Sequence, residues 1–224
     1  MKAFRDRLDP QGRAEIFVAA GIPALHLGAP LPSAAGFPRV YQSCDIDFSN
    51  VTLLQHISKS NLILGQGKDR IIQTLSTGFF FPIARLAIGD RGTLPSDSTV
   101  PKVPVDNDIA HPMTTLYNEV YRADADATVL DVGAGVHEIK FIKIFSAVDV
   151  PITAFSNQAK PVVNEVGLVM ADLLSGTPLP RAAVAPPTAP PADEILFSIR
   201  TFKSVPFEIA QNISVTIRYT IYIE

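Results

Sequence analysis

Residues 129–135 read VLDVGAG, an apolar run that ends in Asp131 and a glycine turn. That order lets backbone close on a nucleotide-like cofactor just before a helix begins, with an acidic side chain placed to meet its hydroxyl groups. In such chemistry Asp131, Gly133 and Gly135 line the cofactor and Asp149 meets the ribose. Here the pattern is incomplete. Val136-His137 stands where the turn needs a third glycine, and the following HEIKFIKIF is β-branched and aromatic with strand-like alternation. A hairpin turn between antiparallel strands accounts for Gly133-Ala134-Gly135 more simply.

The other candidates are weaker. Gly65-Gln66-Gly67-Lys68 lacks the first glycine of a phosphate loop and the Ser or Thr after the lysine, so it reads as a helix boundary. His26, His56, His111 and His137 have no ligand spacing, and Asp106 and Asp108 lack the Gly and Glu of a calcium loop. Cys44 is the only cysteine, which excludes intrachain disulfides and multi-cysteine zinc sites, and it reads as a small packing residue. The expectation is a chain without a catalytic, cofactor or metal site. An S-adenosylmethionine-dependent methyltransferase built on 129–135 is the alternative.

The elements that must position these residues follow from composition and pattern. The chain has 224 residues, 47% of them hydrophobic, enough for one large domain or a domain plus an arm. Lys+Arg 19 against Asp+Glu 22 gives a formal charge of −3, which argues against a nucleic-acid binder. Charged residues are 18% of the chain, where about 25% is usual. Together with a mean hydropathy of +0.22 this points to surface covered by other chains, as in an assembly. No apolar run reaches the roughly 20 residues that cross a bilayer, and the charged start MKAFRDRLDPQGRAEIF is no signal peptide. A reducing compartment without membrane insertion is expected.

Residues 1–45 are punctuated by Pro23, Pro30, Pro32 and Pro38 and by Gly21, Gly28 and Gly36, and read as an extended arm. Its apolar side chains Phe17, Leu25, Leu27, Leu31, Phe37 and Tyr41 are the candidate interface, laid over either its own domain or a neighbour. Residues 46–224 form the main domain. Helix is expected in 51–77, broken at Gly65-Gln66-Gly67. Strands are expected at 79–88, 127–132, 136–145, 165–172 and 194–202, with 113–122 open between helix and strand. The proline-rich stretch 176–193 reads as an exposed loop between two paired strands. Residues 213–223 alternate without a miss, the signature of a strand with one face buried. The fold class is therefore mainly β (α+β), with antiparallel sheets, one or two short helices and an extended N-terminal arm.

The order of these pieces resembles the N-terminal domain of phage tail-collar fibre proteins. The resemblance is carried by GKDRI (67–71), IARLAIGDRG (83–92), YNEVYR (117–122), HEIKFIKIF (137–145), NEVGLVMAD (164–172) and the closing pair ILFSIRTFKSVPFEIAQNISVTIRYTIYI (195–223). It covers residue 61 to the end, with the IGDRG turn and the EVGL segment the most telling. The resemblance implies a structural virion protein of a contractile tail, a baseplate component or adaptor that attaches tail fibres. Its implied partners are other tail and baseplate proteins and the fibres, in a homo-oligomer expected to be a trimer. No cofactor is implied, and assembly would occur in the bacterial host cytoplasm. The family continues into a fibre shaft, whereas this chain stops at Glu224, so the expectation is a short adaptor or baseplate piece.

Overall fold

The alternation at the C-terminus becomes a strand buried along most of its length. In the computed structural model, which describes residues 11–32, 39–69, 83–105, 115–133, 136–171 and 194–223, Ile213–Ile223 is strand β14. Its odd-numbered side chains Ile213, Val215, Ile217, Tyr219 and Ile221 are all buried in one core. The opposite face is polar yet also covered, with Ser214, Thr216 and Thr220 buried. A strand with both faces covered must lie inside a sheet, and β14 is flanked by β11 (Val136–Ser146) and β1 (Gln11–Ala20), both antiparallel.

The remaining strands are β2 (Ala24–Leu27), β3 (Val40–Tyr41), β4 (Cys44–Asp47), β5 (Thr52–Ile63), β6 (Ile83–Gly89), β7 (Thr93–Leu94) and β8 (Asp97–Pro101). They are followed by β9 (Glu119–Asp124), β10 (Ala127–Gly133), β12 (Val162–Ala171) and β13 (Glu194–Pro206). Ten of them join one sheet in the order β3-β10-β11-β14-β1-β5-β13-β12-β6-β9. β2 pairs with β4, and β7 with β8, as separate two-stranded ribbons. Among the described residues, only the β3–β10 contact is parallel within the large sheet. The protein is mainly β, with a helical turn at 65–69 and short 3-10 turns among the described residues.

Two features make the sheet curl. β5 pairs with β1 from Thr52 to Asn61 and then passes to β13 at Leu62 and Ile63. At the other side, β9 and β10 stand near opposite ends of the strand order, yet only Ala125 and Asp126 separate them in the chain. A connection that short brings the two ends together, so the halves must face each other. Tyr121 of β9 meets Phe145 of β11 edge-on at 6.3 Å across that closure. The core between the halves draws on β1, β6, β9, β11, β12, β13 and β14.

Several expectations change. The helix expected from residue 51 is instead strand β5 up to Ile63, and residues 70–77 lie outside the described set. A register shift against β1 around Leu54 breaks the period of two in this strand. The extended segment begins later than expected, because Gln11–Ala20 lies at the middle of the sheet. Apolar residues on both of its faces, Ile16 and Val18 inward and Phe17 and Ala19 outward, hid the alternation. Residues 119–124 settle as a strand. The proline-rich loop lies outside the described residues, but the strands it joins do pair, with Ala171 opposite Glu194.

Candidate functional site

Period-two geometry sorts the outward face of the second half-sheet into three zones. Along β6, Arg85, Ala87 and Gly89 point the same way, opposite to the core residues Leu86 and Ile88. Ala87 belongs to a small apolar cluster with Leu64, Leu116, Val169, Leu196 and Ile199. Polar groups are gathered on either side of it, around Arg85 at one end and around Gly89 at the other.

The Gly89 end holds the motifs that carry the sequence resemblance. Glu165 of β12 faces Gly89 across the sheet and is completely buried. One of its carboxylate oxygens, Oε1, accepts the backbone N–H of Arg91 at 3.1 Å and of Asn118 at 2.9 Å. The other, Oε2, accepts the N–H of Tyr117 at 2.8 Å. Next door, Asn164 Oδ1 accepts the N–H of Gly92 at 2.6 Å, while its amide donates to Asp90 O, Thr93 Oγ1 and Ser204 Oγ. Asp90 in turn accepts from Asn118 Nδ2 at 2.7 Å and from the Ser156 N–H at 2.6 Å. IGDRG, YNEVYR and NEVGL, far apart in sequence, thus form one clasp.

The glycines of the turn serve close approach. A Cβ on Gly89 would sit 2.4 Å from Asn118 O, and one on Gly92 would sit 2.4 Å from Asn164 O. Neither has a positive φ, so the freedom that a Gly-Asp-x-Gly turn offers is not what is used here. Asp90 likewise bonds across to Ser156 and Asn118 rather than to its own turn. Burial pushes the Glu165 carboxyl up to about 7, against the lowering effect of the three N–H groups and of Lys102. Lys102, which follows β8, stands over the Tyr117 ring at 4.2 Å, and its N–H donates to Gly92 O at 2.8 Å. The clasp therefore anchors the β7–β8 ribbon. That ribbon and the residues after it expose Leu94, Val100, Val103 and Val105.

The Arg85 end is a network of ion pairs. Arg122 donates to both oxygens of Glu119 and to Glu194, and Arg85 lies 3.3 Å from Asp124 and 3.6 Å from Glu194. Burial works against the Arg122 charge, but Glu119 and Glu194 outweigh it and hold the guanidinium above its usual pKa. Arg85, Arg122 and Glu194 are all buried.

No family model, curated protein or solved structure matches this chain. Residues 129–133 of VLDVGAG lie in β10, and Gly133 stands opposite Val136 of the antiparallel β11, where a cofactor-binding turn would lead into a helix. Asp131 is exposed and pairs with Lys140 at 3.3 Å, and Asp149 lies in the exposed turn after β11. Cys44 is half-buried, and burial with neighbouring Asp45 pushes its thiol pKa up, which disfavours the thiolate. His26 and His56 pair singly, with Asp47 and Glu15. Among the described residues no group of three His, Cys, Asp or Glu is placed to hold a metal ion, and no helix is long and apolar enough to cross a membrane.

The six candidate interface residues separate. Phe17 is buried in its own domain, stacked on His56 at 4.4 Å and tilted against Phe48 at 5.2 Å, with the Arg218 guanidinium over its ring. Leu25 in β2, Leu31 and Tyr41 in β3 are half-buried, and Leu27 is exposed. The Leu31 N–H donates to Val40 O, and β3 lies along β10, so this stretch is laid over its own sheet edge. Phe37 lies outside the described residues. Sequence reasoning passed over Glu165, whose signal was an acidic residue inside the apolar run VVNEVGLVM with a glycine turn elsewhere to receive it.

Proposed function

We propose that this chain is a structural component of a contractile phage tail, a baseplate piece or adaptor that attaches tail fibres and works through buried interfaces. The observation that carries the reading is the convergence of IGDRG, YNEVYR and NEVGL on one clasp. The segments that suggested the family share one structural task, holding the β7–β8 ribbon on the body of the sheet. Exposed Leu94, Val100, Val103 and Val105 beside the clasp, and Leu27 on the overlying stretch, are the contact surface in this reading. Partners are other tail and baseplate proteins and the fibres, with the chain as a homo-oligomer, a trimer by the resemblance, assembled in the bacterial host cytoplasm and resident in the virion.

Immunogold electron microscopy of purified phage particles, using antibodies raised against this chain, tests the reading. Label at the baseplate is expected. Particles that lack the chain by both label and mass spectrometry contradict it. Light scattering of the purified chain should give a trimer mass, and a stable monomer at high concentration removes the oligomer from the proposal.

A further inference from the structure

We propose that the Glu165 clasp is a proton-operated latch: when Glu165 takes up a proton, the Tyr117 N–H loses its hold on β12 while Arg91 and Asn118 keep theirs, and the contact that Tyr117 makes with the β7–β8 ribbon through Lys102 loosens with it. The geometry makes the response selective. As an anion, Glu165 is an acceptor only, and it meets three donors. Oε1 receives two of them, Arg91 and Asn118, and as a carbonyl oxygen it can keep both. Among the described residues Oε2 receives only Tyr117, so a proton settles there at the smallest loss. The protonated oxygen is a much weaker acceptor than the anion, and its new O–H competes for the same space, so the Tyr117 bond weakens most of the three.

Tyr117 passes the change on. Its ring lies under Lys102, and Lys102 connects to the turn through Gly92 O and to β13 through the Thr201 hydroxyl, which donates to its carbonyl at 2.5 Å. The charged groups around Glu165 come from every neighbouring element. Asp90 and Arg91 lie in the β6–β7 turn, with Asp90 bonded to Asn118 and Ser156 and Arg91 donating to Ser156. Lys102 follows β8, and Glu119 of β9, which flanks Gly89, is committed to Arg122. From β13 the cross-strand neighbour is Thr201, which is neutral. The only cation among these that draws on Glu165 electrostatically is Lys102. Burial supplies the drive, since it favours the neutral carboxyl at a pH that cells reach.

The test is nuclear magnetic resonance on the whole chain, uniformly labelled with nitrogen-15 and carbon-13, titrated from about pH 8.5 to pH 5. The Glu165 carboxyl carbon and the Tyr117 amide are expected to move together with one midpoint. Over the same range the Tyr117 amide should lose about tenfold or more in hydrogen-exchange protection after correction for the intrinsic rate, while Arg91 and Asn118 keep theirs, as expected for loss of one bond to a charged acceptor. The Glu165→Gln variant should hold the Tyr117 amide at its low-protection value throughout. The latch is overturned if the carboxyl carbon stays ionised to pH 5, or if Tyr117 protection does not follow its titration. It is equally overturned if all three amides lose protection together. Should Glu165→Gln fail to fold, the wild-type titration alone decides.

Discussion

Two buried charged regions lie at the two ends of β6, one around Arg85 and Arg122 and one around Glu165, and they keep their charge in different ways. Around Arg122, charge meets charge: two guanidinium groups share Glu119, Asp124 and Glu194. Around Glu165, one carboxylate is held by neutral backbone dipoles from two loops. The first arrangement fails when a partner is removed, because the other is left buried and uncompensated. The second depends on ionisation, because a protonated carboxyl is a weaker acceptor for the N–H groups than the anion. The ion-pair end therefore fixes β9 against β13, and the dipole end positions loops whose attachment can change.

The largest expected effect breaks the ion-pair end. Arg122→Met leaves Glu194 buried without its closest partner and should cost about 3–5 kcal/mol in denaturant unfolding, whereas Arg122→Met combined with Glu194→Leu should recover part of that loss. Full additivity of the two changes would mean that the residues are not coupled. Next comes Glu165→Ala, which strands three part-buried N–H donors and should cost roughly 3 kcal/mol by the same measurement. Gly92→Ala should follow at about 1–3 kcal/mol, since its new methyl group meets the Asn164 carbonyl and backbone must shift. Smallest is Lys140→Ala. Its pairs with Asp131 and Glu138 lie near solvent, and the loss should stay within about 1 kcal/mol.

How much of this was readable in the sequence depended on period and reach. β14 could be placed to the residue because its alternation is uninterrupted over 213–223, and β10 and β11 to within one residue because the glycine turn separates two short-period runs. β1 escaped, since a strand covered on both faces shows no alternation, and β5 escaped because its register shift breaks the period of two. The clasp was half visible. The Gly-Asp-Arg-Gly turn marked a strand exit, but the partners of that turn, Asn118, Ser156, Asn164 and Glu165, come from distant segments that only the strand order brings together. The ion-pair network left no sequence signal at all, because Arg85, Arg122 and Glu194 are ordinary charged residues until the sheet curls.

The contrast between the two regions rests on Glu165 being a charge held by dipoles in a buried place, and one measurement addresses it directly. Denaturant unfolding of the wild type and of Glu165→Gln is compared at pH values from about 5 to 8.5, so that titrations elsewhere cancel in the difference. The folded-state pKa is raised from 4.5 to about 7, so the folded protein binds this proton more tightly than the unfolded chain does. The stability that proton uptake contributes is full below the unfolded value and is lost as pH rises through the folded one. The account predicts that the wild type gains on the variant as pH falls from 8.5 to 5, even as the Tyr117 contact loosens, because relief of the buried charge outweighs one hydrogen bond. A difference that is flat across this range, or that grows in favour of the wild type as pH rises, would contradict it.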